Sequence, residues 1–111
     1  DQAWATTMRY AFDPENPGFA KGPWGGLGSR HTPGTWPLGD VMGWVSFGLM
    51  EEVDASDAFL ERLVASAFGD GMLPEAYDPG GSGSVVRHWF AWPGAALGAL
   101  LLDHASRSAG E

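Results

Sequence analysis

Residues 36–69, WPLGDVMGWVSFGLMEEVDASDAFLERLVASAFG, decide how this chain folds. The stretch opens with Trp36-Pro37, and Thr35 before it is a suitable cap for a helix with proline in its first turn. Apolar residues recur at helical spacing as far as Met50, so the sequence predicts a helix over residues 36–50. Its glycines each lower helix propensity by about 1 kcal/mol relative to alanine, so tertiary packing must hold this helix.

A second helix is predicted near residues 57–68, with Asp54 or Ser56 as its cap. Glu61 and Arg62 are expected to face water on one side of it. The opposite side is a single apolar stripe, formed by Phe59, Leu60, Leu63, Val64, Ala67 and Phe68.

Two long segments rich in glycine and proline, residues 13–35 and 69–91, flank this pair of helices. Connections of that length in a compact domain favour functional loops over plain linkers. The link from the first helix to the cap of the second is short, roughly residues 51–53, which favours an antiparallel hairpin. The hairpin would bring both long loops to the same end of the helical stack.

A third helix is predicted near residues 92–106, beginning at Trp92-Pro93. It is apolar almost all round, which is typical of a buried helix with other helices packed about it. Three helices cannot supply that surround. The sequence therefore predicts an all-α protein without a substantial sheet, in which residues 1–111 are the carboxyl-terminal part of a larger catalytic domain or are completed by another chain.

Composition excludes several classes of partner. The chain has 111 residues, 14 acidic against 6 basic, and a net charge of −8, which disfavours nucleic acid and anionic membranes. The most apolar stretch, residues 95–102, is too short to span a bilayer. Cysteine is absent, so disulfides and thiolate chemistry are excluded, but both the cytoplasm and secretion stay open.

The second loop carries Glu75 between apolar and aromatic neighbours. A carboxylate in a partly dry cleft can serve as a general acid or base, and glycosidic cleavage needs a pair of such groups. Asp70 and Asp78 in the same loop are expected to be turn residues. Without further information, a solvated glutamate is the commoner reading of such a loop.

Residues 87–92, Arg-His-Trp-Phe-Ala-Trp, place a fixed positive charge beside three large rings. Tryptophan can stack on the C–H face of a sugar while arginine donates hydrogen bonds to its hydroxyls, so this composition suits a carbohydrate cleft. The alternative is that Trp89, Phe90 and Trp92 form the core entry of the third helix.

The first loop contains residues 25–33, GGLGSRHTP, which are similar to a phosphate-binding loop. They lack the Gly-Lys-Ser/Thr ending and a preceding strand, so a nucleotide site is excluded. His31, His88 and His104 have no ligand-like spacing, and neither a metal nor another cofactor is predicted. Ser29 and His31 are too little for a catalytic triad, and His31 is better interpreted as a neutral hydrogen-bond donor.

Taken together, the two loops resemble the end of the metal-independent α-mannosidases, glycoside hydrolase family 125. The resemblance covers approximately residues 9–103, and its elements occur in the family's order and spacing. These elements are Asn16-Pro17, Gly28-Ser29, His31-Thr32-Pro33, Trp36-Pro37, Gly71-Met72 with Glu75, and Arg87 with Trp89-Phe90-Ala91-Trp92.

The resemblance implies an (α/α)6 toroid and an exo-acting, inverting α-mannosidase without metal, specific for α-1,6-linked mannosides. Glu75 would be the general base, and the general acid would be an aspartate in the amino-terminal part of the domain, outside these 111 residues. Arg87 is expected either to contact the sugar or to support Glu75 by an ionic contact, and the ionic contact is favoured. The residues expected to bind the mannoside or other oligosaccharide in one cleft are Ser29, His31, Thr32, Trp36, Tyr77, Arg87 and Trp89.

Several positions depart from the family pattern. They are Arg30 in place of proline, Pro74 and Ala76 in place of histidine and serine, Tyr77 in place of phenylalanine, and Pro93-Gly94 in place of Ala-Asn. Met72-Leu73-Pro74-Glu75 also resembles the base loop of glucoamylase-like enzymes, which share the toroid and the inverting mechanism. Two alternatives therefore stand beside the mannosidase: a glucoamylase-like α-glucosidase and an inactive carbohydrate-binding relative.

Overall fold

A computed structural model describes residues 1–67 and 70–110. Within them the chain is mostly helical, with two ribbons of two short strands each. The helices are α1 (Gln2–Ala11), α2 (Pro37–Leu49), α3 (Val53–Ser66) and α4 (Ala91–Ala109). The strands are β1 (Phe19–Ala20), β2 (Gly26–Leu27), β3 (Ala76–Tyr77) and β4 (Val85–Val86).

The three predicted helices are confirmed as α2, α3 and α4, although their ends differ from those predicted. Helix α3 begins at Val53, earlier than expected, and the predicted end at Phe68 lies outside the described residues. Helix α1 was not predicted, and none of its residues is buried. Its amino terminus is capped by Asp1, whose carboxylate accepts from the backbone N–H groups of Ala3 and Trp4.

The predicted side-chain caps of α2 and α3 are wrong. Trp36 and Glu52 occupy the cap positions, and neither makes a side-chain capping bond. The hydroxyls expected there are used elsewhere: Thr35 Oγ1 donates to the carbonyl of Trp24 at 2.7 Å, and Ser56 Oγ donates to the carbonyl of Trp44 at 2.7 Å.

Helices α2 and α3 pack closely against each other, as the hairpin prediction requires. The turn between them is a Schellman motif, since Glu52 N–H donates to Phe47 O at 2.9 Å and Glu51 N–H to Gly48 O at 3.1 Å. Gly43 permits the close approach, because a Cβ there would lie 2.7 Å from the ring of Phe59.

The core lies where the helices and the second loop meet. Val41 of α2, Leu63 of α3 and Leu73 of the loop form its buried centre. Half-buried apolar residues pack around them, namely Leu60, Ala67, Ala96, Leu97 and Leu100. The loop that carries Glu75 is therefore anchored by Leu73 in the same core that holds the hairpin together.

The two long loops are joined to each other, as predicted. Thr35 and Tyr77 form an antiparallel bridge in which each backbone N–H donates to the other's carbonyl at 2.9 Å. Trp24 N–H also donates to Pro79 O at 2.9 Å. Both loops consequently lie on one side of the helical hairpin.

Two predictions about exposure are wrong. Helix α4 packs on α2, but Pro93 is its buried residue, while Trp92 is 67% and Leu102 72% exposed. These residues therefore present apolar surface that the described part of the chain does not cover. Arg62, expected to face water like the exposed Glu61, instead turns toward the buried Asp40. None of the described helices combines the length and apolar character that crossing a membrane requires.

Candidate active site

Glu75 lies immediately before β3, and its backbone is held by the opposite strand. The N–H of Glu75 donates to the carbonyls of Val86 at 3.0 Å and Arg87 at 3.1 Å. Strands β3 and β4 are antiparallel, with Ala76 opposite Val86. The residue after β4, Arg87, is thereby brought beside Glu75.

Both oxygens of the Glu75 carboxylate have partners from different segments. Oε1 accepts a hydrogen bond of 2.8 Å from Thr32 Oγ1 in the first loop, and Oε2 forms an ion pair with Arg87 Nη1. The bond from Thr32, followed by that from Arg87, lowers the pKa of Glu75. The carboxylate is therefore ionised at neutral pH, and its side chain keeps 14% of its surface exposed.

Arg87 holds this position with a strained backbone. Its φ of 46° lies in the left-handed region, which costs a residue with a Cβ about 1–2 kcal/mol. The side chain is 54% exposed, so part of the guanidinium is open to solvent although Nη1 contacts Glu75. Strain of this kind is concentrated at functional sites, where surrounding contacts maintain it.

Three other residues predicted to bind the sugar, Ser29, His31 and Trp89, are close in sequence to Thr32 or Arg87. His31, next to the buried Thr32, is exposed, and its N–H donates to Ser29 Oγ at 3.1 Å. Trp89 is also exposed and stands two residues beyond Arg87. Glu75 contacts Thr32 and Arg87 directly, whereas His31 and Trp89 are near it only through their positions in the chain next to those residues.

Tyr77 and Trp36, also expected to bind substrate, are turned inward. Tyr77 is buried, and its hydroxyl donates to Asp40 Oδ2 at 2.5 Å. Trp36 is half-buried, and its indole nitrogen is buried without a hydrogen-bond partner among the described residues. Tyr77, which is buried and bonded to Asp40, does not face the surface, whereas Trp36 keeps part of its surface exposed.

Sequence reasoning missed a second polar group beneath the site. Asp40 is fully buried, its Oδ1 lies 3.4 Å from Arg62 Nη2, and its Oδ2 accepts from Tyr77. Burial raises the pKa of Asp40 to about 6, against the opposing effects of Arg62 and Tyr77. The same burial, together with the charge of Asp40, raises the pKa of Tyr77. One feature of the sequence could have indicated this buried group: Asp40 is the one charged residue in the apolar stretch 36–50.

Asp70 and Asp78 act as turn residues, as predicted. The carboxylate of Asp70 accepts from Met72 N–H at 3.0 Å. That of Asp78 accepts from Gly80 N–H at 2.9 Å and from Ser82 N–H at 3.1 Å, and hydrogen bonds from Ser82 and Gly80 lower its pKa. Both carboxylates are thus engaged with their own turns.

The chain also has a cavity of about 280 Å³ between the end of α3 and the β3–β4 ribbon. Trp24, Ser66, Tyr77 and Asp78 are among its lining residues, and Glu75 is not. Across residues 1–67 and 70–110, no group of three or more His, Cys, Asp or Glu side chains could hold a metal ion.

Comparison of the sequence with known families identifies a glycoside hydrolase. Residues 1–102 match the metal-independent α-mannosidases, family GH125. The chain belongs to this family, and the resemblance found in its loops is confirmed. Comparison with curated proteins and with solved structures gave no match.

Proposed function

We propose that this chain supplies Glu75 as the general base of an inverting, exo-acting α-mannosidase that cleaves α-1,6-linked mannosides. The observation that carries the proposal is the environment of the carboxylate: Thr32 and Arg87 bind one oxygen each and lower its pKa, and 14% of the side chain stays exposed. A general base must be ionised before it can accept a proton.

The two partners leave room for a water molecule. A carboxylate has about four lone-pair positions, and Thr32 and Arg87 use one on each oxygen. In an inverting reaction the remaining capacity would accept a hydrogen bond from the attacking water. The acid and base of such enzymes stand about 6.5–9.5 Å apart, so that the water fits beneath the anomeric carbon.

The sugar would be held by the exposed side chains around Glu75. Trp89 offers an indole face for stacking, and the solvent-exposed part of Arg87 can donate to hydroxyls. Ser29 and His31 lie one to three residues before Thr32 and add polar groups on the other side. Thr32 itself is buried, so its role is to orient Glu75 through the 2.8 Å bond.

We further propose that residues 1–111 form the carboxyl-terminal part of an (α/α)6 toroid. The exposed apolar residues of α4, Trp92, Leu101 and Leu102 among them, support this arrangement, because further helices of the toroid would cover them. The mechanism supports it as well, since an inverting hydrolase needs a second carboxyl group as general acid. That acid would come from the amino-terminal part of the domain.

The test is Glu75→Gln in the complete enzyme. The change keeps the volume but removes the charge that accepts the proton, so kcat should fall by at least about 10²-fold while KM changes little. The matched control is Glu61→Gln on the exposed face of α3, which should leave both constants unchanged. The first product anomer from an α-mannoside, followed by NMR, should be β.

Near-normal kcat of Glu75→Gln on every α-mannoside and α-glucoside tested would exclude Glu75 as the base. Sugar binding without hydrolysis by the unchanged protein would instead favour the inactive carbohydrate-binding relative. Activity that depends on Glu75 but acts on α-glucosides alone would favour the glucoamylase-like alternative. The same series of substrates, with mannosides of different linkage, decides the preference for α-1,6 bonds.

A further inference from the structure

A buried polar cluster of Asp40, Arg62 and Tyr77 lies directly behind the loop of Glu75. Asp40 comes from α2, Arg62 from α3 and Tyr77 from β3. The Tyr77 hydroxyl donates to Asp40 Oδ2 at 2.5 Å and accepts from Arg62 Nη2 at 2.9 Å. Arg62 Nη2 also lies 3.4 Å from Asp40 Oδ1, so each of the three side chains contacts the other two.

Stability alone does not explain such a cluster. Removing a carboxylate and a guanidinium from water costs several kcal/mol per ion, and apolar residues of similar size are often at least as stabilising. Directional contacts, in contrast, fix the relative position of the elements that carry them. Here those elements are both helices of the hairpin and the strand that follows Glu75 by one residue.

The same cluster also reaches the first loop. Arg62 Nη2 donates to Trp24 O at 3.0 Å, and Thr35 Oγ1 donates to that same carbonyl at 2.7 Å. Thr35 is bonded to Tyr77 through both backbone groups at 2.9 Å. Gly34 gives these strands room, because a Cβ there would lie 2.6 Å from Tyr77 O.

Both residues of the hydrogen bond between Thr32 and Glu75 are therefore close in sequence to residues that the cluster holds. Thr32 is three residues before Thr35, and Glu75 is two residues before Tyr77. A shift of Tyr77 relative to α2 would move β3 and, through the bridge, the first loop. The 2.8 Å contact between Thr32 and Glu75 depends on both.

We propose that Asp40, Arg62 and Tyr77 form a positioning cluster, which holds the two loops in the register that keeps Thr32 and Arg87 bonded to Glu75. The cluster does not touch the substrate and acts through Glu75. This role rests on the proposed function of Glu75 as the base.

The test is Tyr77→Phe in the complete enzyme, which removes the hydroxyl and keeps the ring. A loosened loop weakens the bonds from Thr32 and Arg87, and because those bonds lower the pKa of Glu75, the pKa should rise. The acidic limb of the kcat–pH profile should then move to higher pH. We expect kcat to fall about 10- to 100-fold, as for small misplacements of a catalytic group, with a smaller change in KM.

The chain offers a matched control in its other tyrosine. Tyr10 on α1 is 54% exposed, and Tyr10→Phe makes the same chemical change away from the cluster. It should leave kcat and the acidic limb unchanged. Thr32→Val removes one bond to Glu75 directly and should move the limb in the same direction as Tyr77→Phe. If Tyr77 acts through that bond, the double variant should lose less than the product of the two single losses.

Loss of thermal stability in Tyr77→Phe with an unmoved acidic limb would show a purely structural role and overturn the proposal. If Tyr77→Phe does not fold, Asp40→Asn is judged by the same limb, because it weakens the cluster from the helix side. Glu75→Gln distinguishes failure of the positioning role from failure of the proposed function. If Glu75→Gln is inactive but the acidic limb of the kcat–pH profile does not move in the cluster variants, the positioning role alone is wrong. If Glu75→Gln is active, both proposals are wrong.

Discussion

This molecule contains two carboxylate–guanidinium pairs in which the pKa values of the carboxyl groups are shifted in opposite directions. Glu75 and Arg87 form a pair at the surface, where hydrogen bonds from Thr32 and Arg87 lower the pKa of the acid. Asp40 and Arg62 form a pair in the interior, where burial raises the pKa of the acid to about 6. The presence of an arginine thus does not decide the direction in which the pKa of its partner shifts.

Solvent and donor geometry explain the difference. Glu75 receives a bond on each oxygen and keeps contact with water, so its ionised form is stabilised. Asp40 Oδ1 is buried without a hydrogen bond among the described residues, and Arg62 stands 3.4 Å from it. Desolvation then outweighs the attraction. The first pair contains the proposed general base, and the second belongs to the proposed positioning cluster.

The largest expected effect that sharpens this comparison concerns the pH dependence of stability. Between the ordinary pKa of 3.8 and about 6, native Asp40 keeps a proton that the unfolded chain has released. The native state then binds more protons, so the free energy of unfolding falls as pH rises through this window, by about 3 kcal/mol in total. Above the window this loss is complete.

Asp40→Asn should remove that contribution. Relative to the unchanged protein, the variant should gain about 2 kcal/mol between pH 4 and pH 7, measured by denaturant unfolding at each pH. Asp103→Asn is the matched control, since Asp103 is an exposed residue of α4 paired with Arg107. A parallel pH dependence of Asp40→Asn and the unchanged protein would contradict the assignment of Asp40 as the raised group.

The second effect tests the surface pair. Arg87→Met keeps the aliphatic length and removes the charged donor from Glu75 Oε2, which raises the pKa of Glu75 and moves the acidic limb of kcat to higher pH. A charged hydrogen bond contributes about 1.5–3 kcal/mol, so kcat should fall roughly 10- to 100-fold. Arg107→Met, at the exposed pair on α4, should change neither quantity. An unmoved limb would mean that Arg87 serves the substrate and not the base.

The sequence predicted the parts of the fold that depend on local pattern. Helical spacing predicted α2 and α3, and the short link between them led to the adjacent placement of both loops, which the bridge between Thr35 and Tyr77 confirms. The pairing of Arg87 with Glu75 was also expected. The helices and the placement of the loops rest on chain connectivity or on elements that succeed one another in sequence, whereas the pairing of Arg87 was one of two roles left open for it.

The interior cluster could not be predicted in the same way. Asp40 and Tyr77 are 37 residues apart, and their contact depends on how a loop packs on a helix pair. Arg62 was expected in water because an amphipathic helix was assumed to meet the core with its apolar stripe alone. The aliphatic part of arginine can cross an apolar surface and deliver its charge to a buried partner. The exposure of α4 likewise depends on what packs beside it.

The smallest expected effect separates backbone strain from charge at the surface pair. Arg87 and Glu51 are the described residues other than glycine with positive φ, at 46° and 61°. Glu51 lies far from the site in sequence, at the Schellman position where glycine is preferred. Glu51→Gly should therefore stabilise the protein, by about 0.5–1 kcal/mol after the greater flexibility of the unfolded chain is counted. At Arg87, glycine should be more stable than methionine by a similar amount, while both lose the ion pair and the same activity. Thermal unfolding of the three variants measures these differences in stability. Equal stability of Arg87→Gly and Arg87→Met would show that the backbone of Arg87 is unstrained. The charge of Arg87 would then be the feature that distinguishes the surface pair from the buried one.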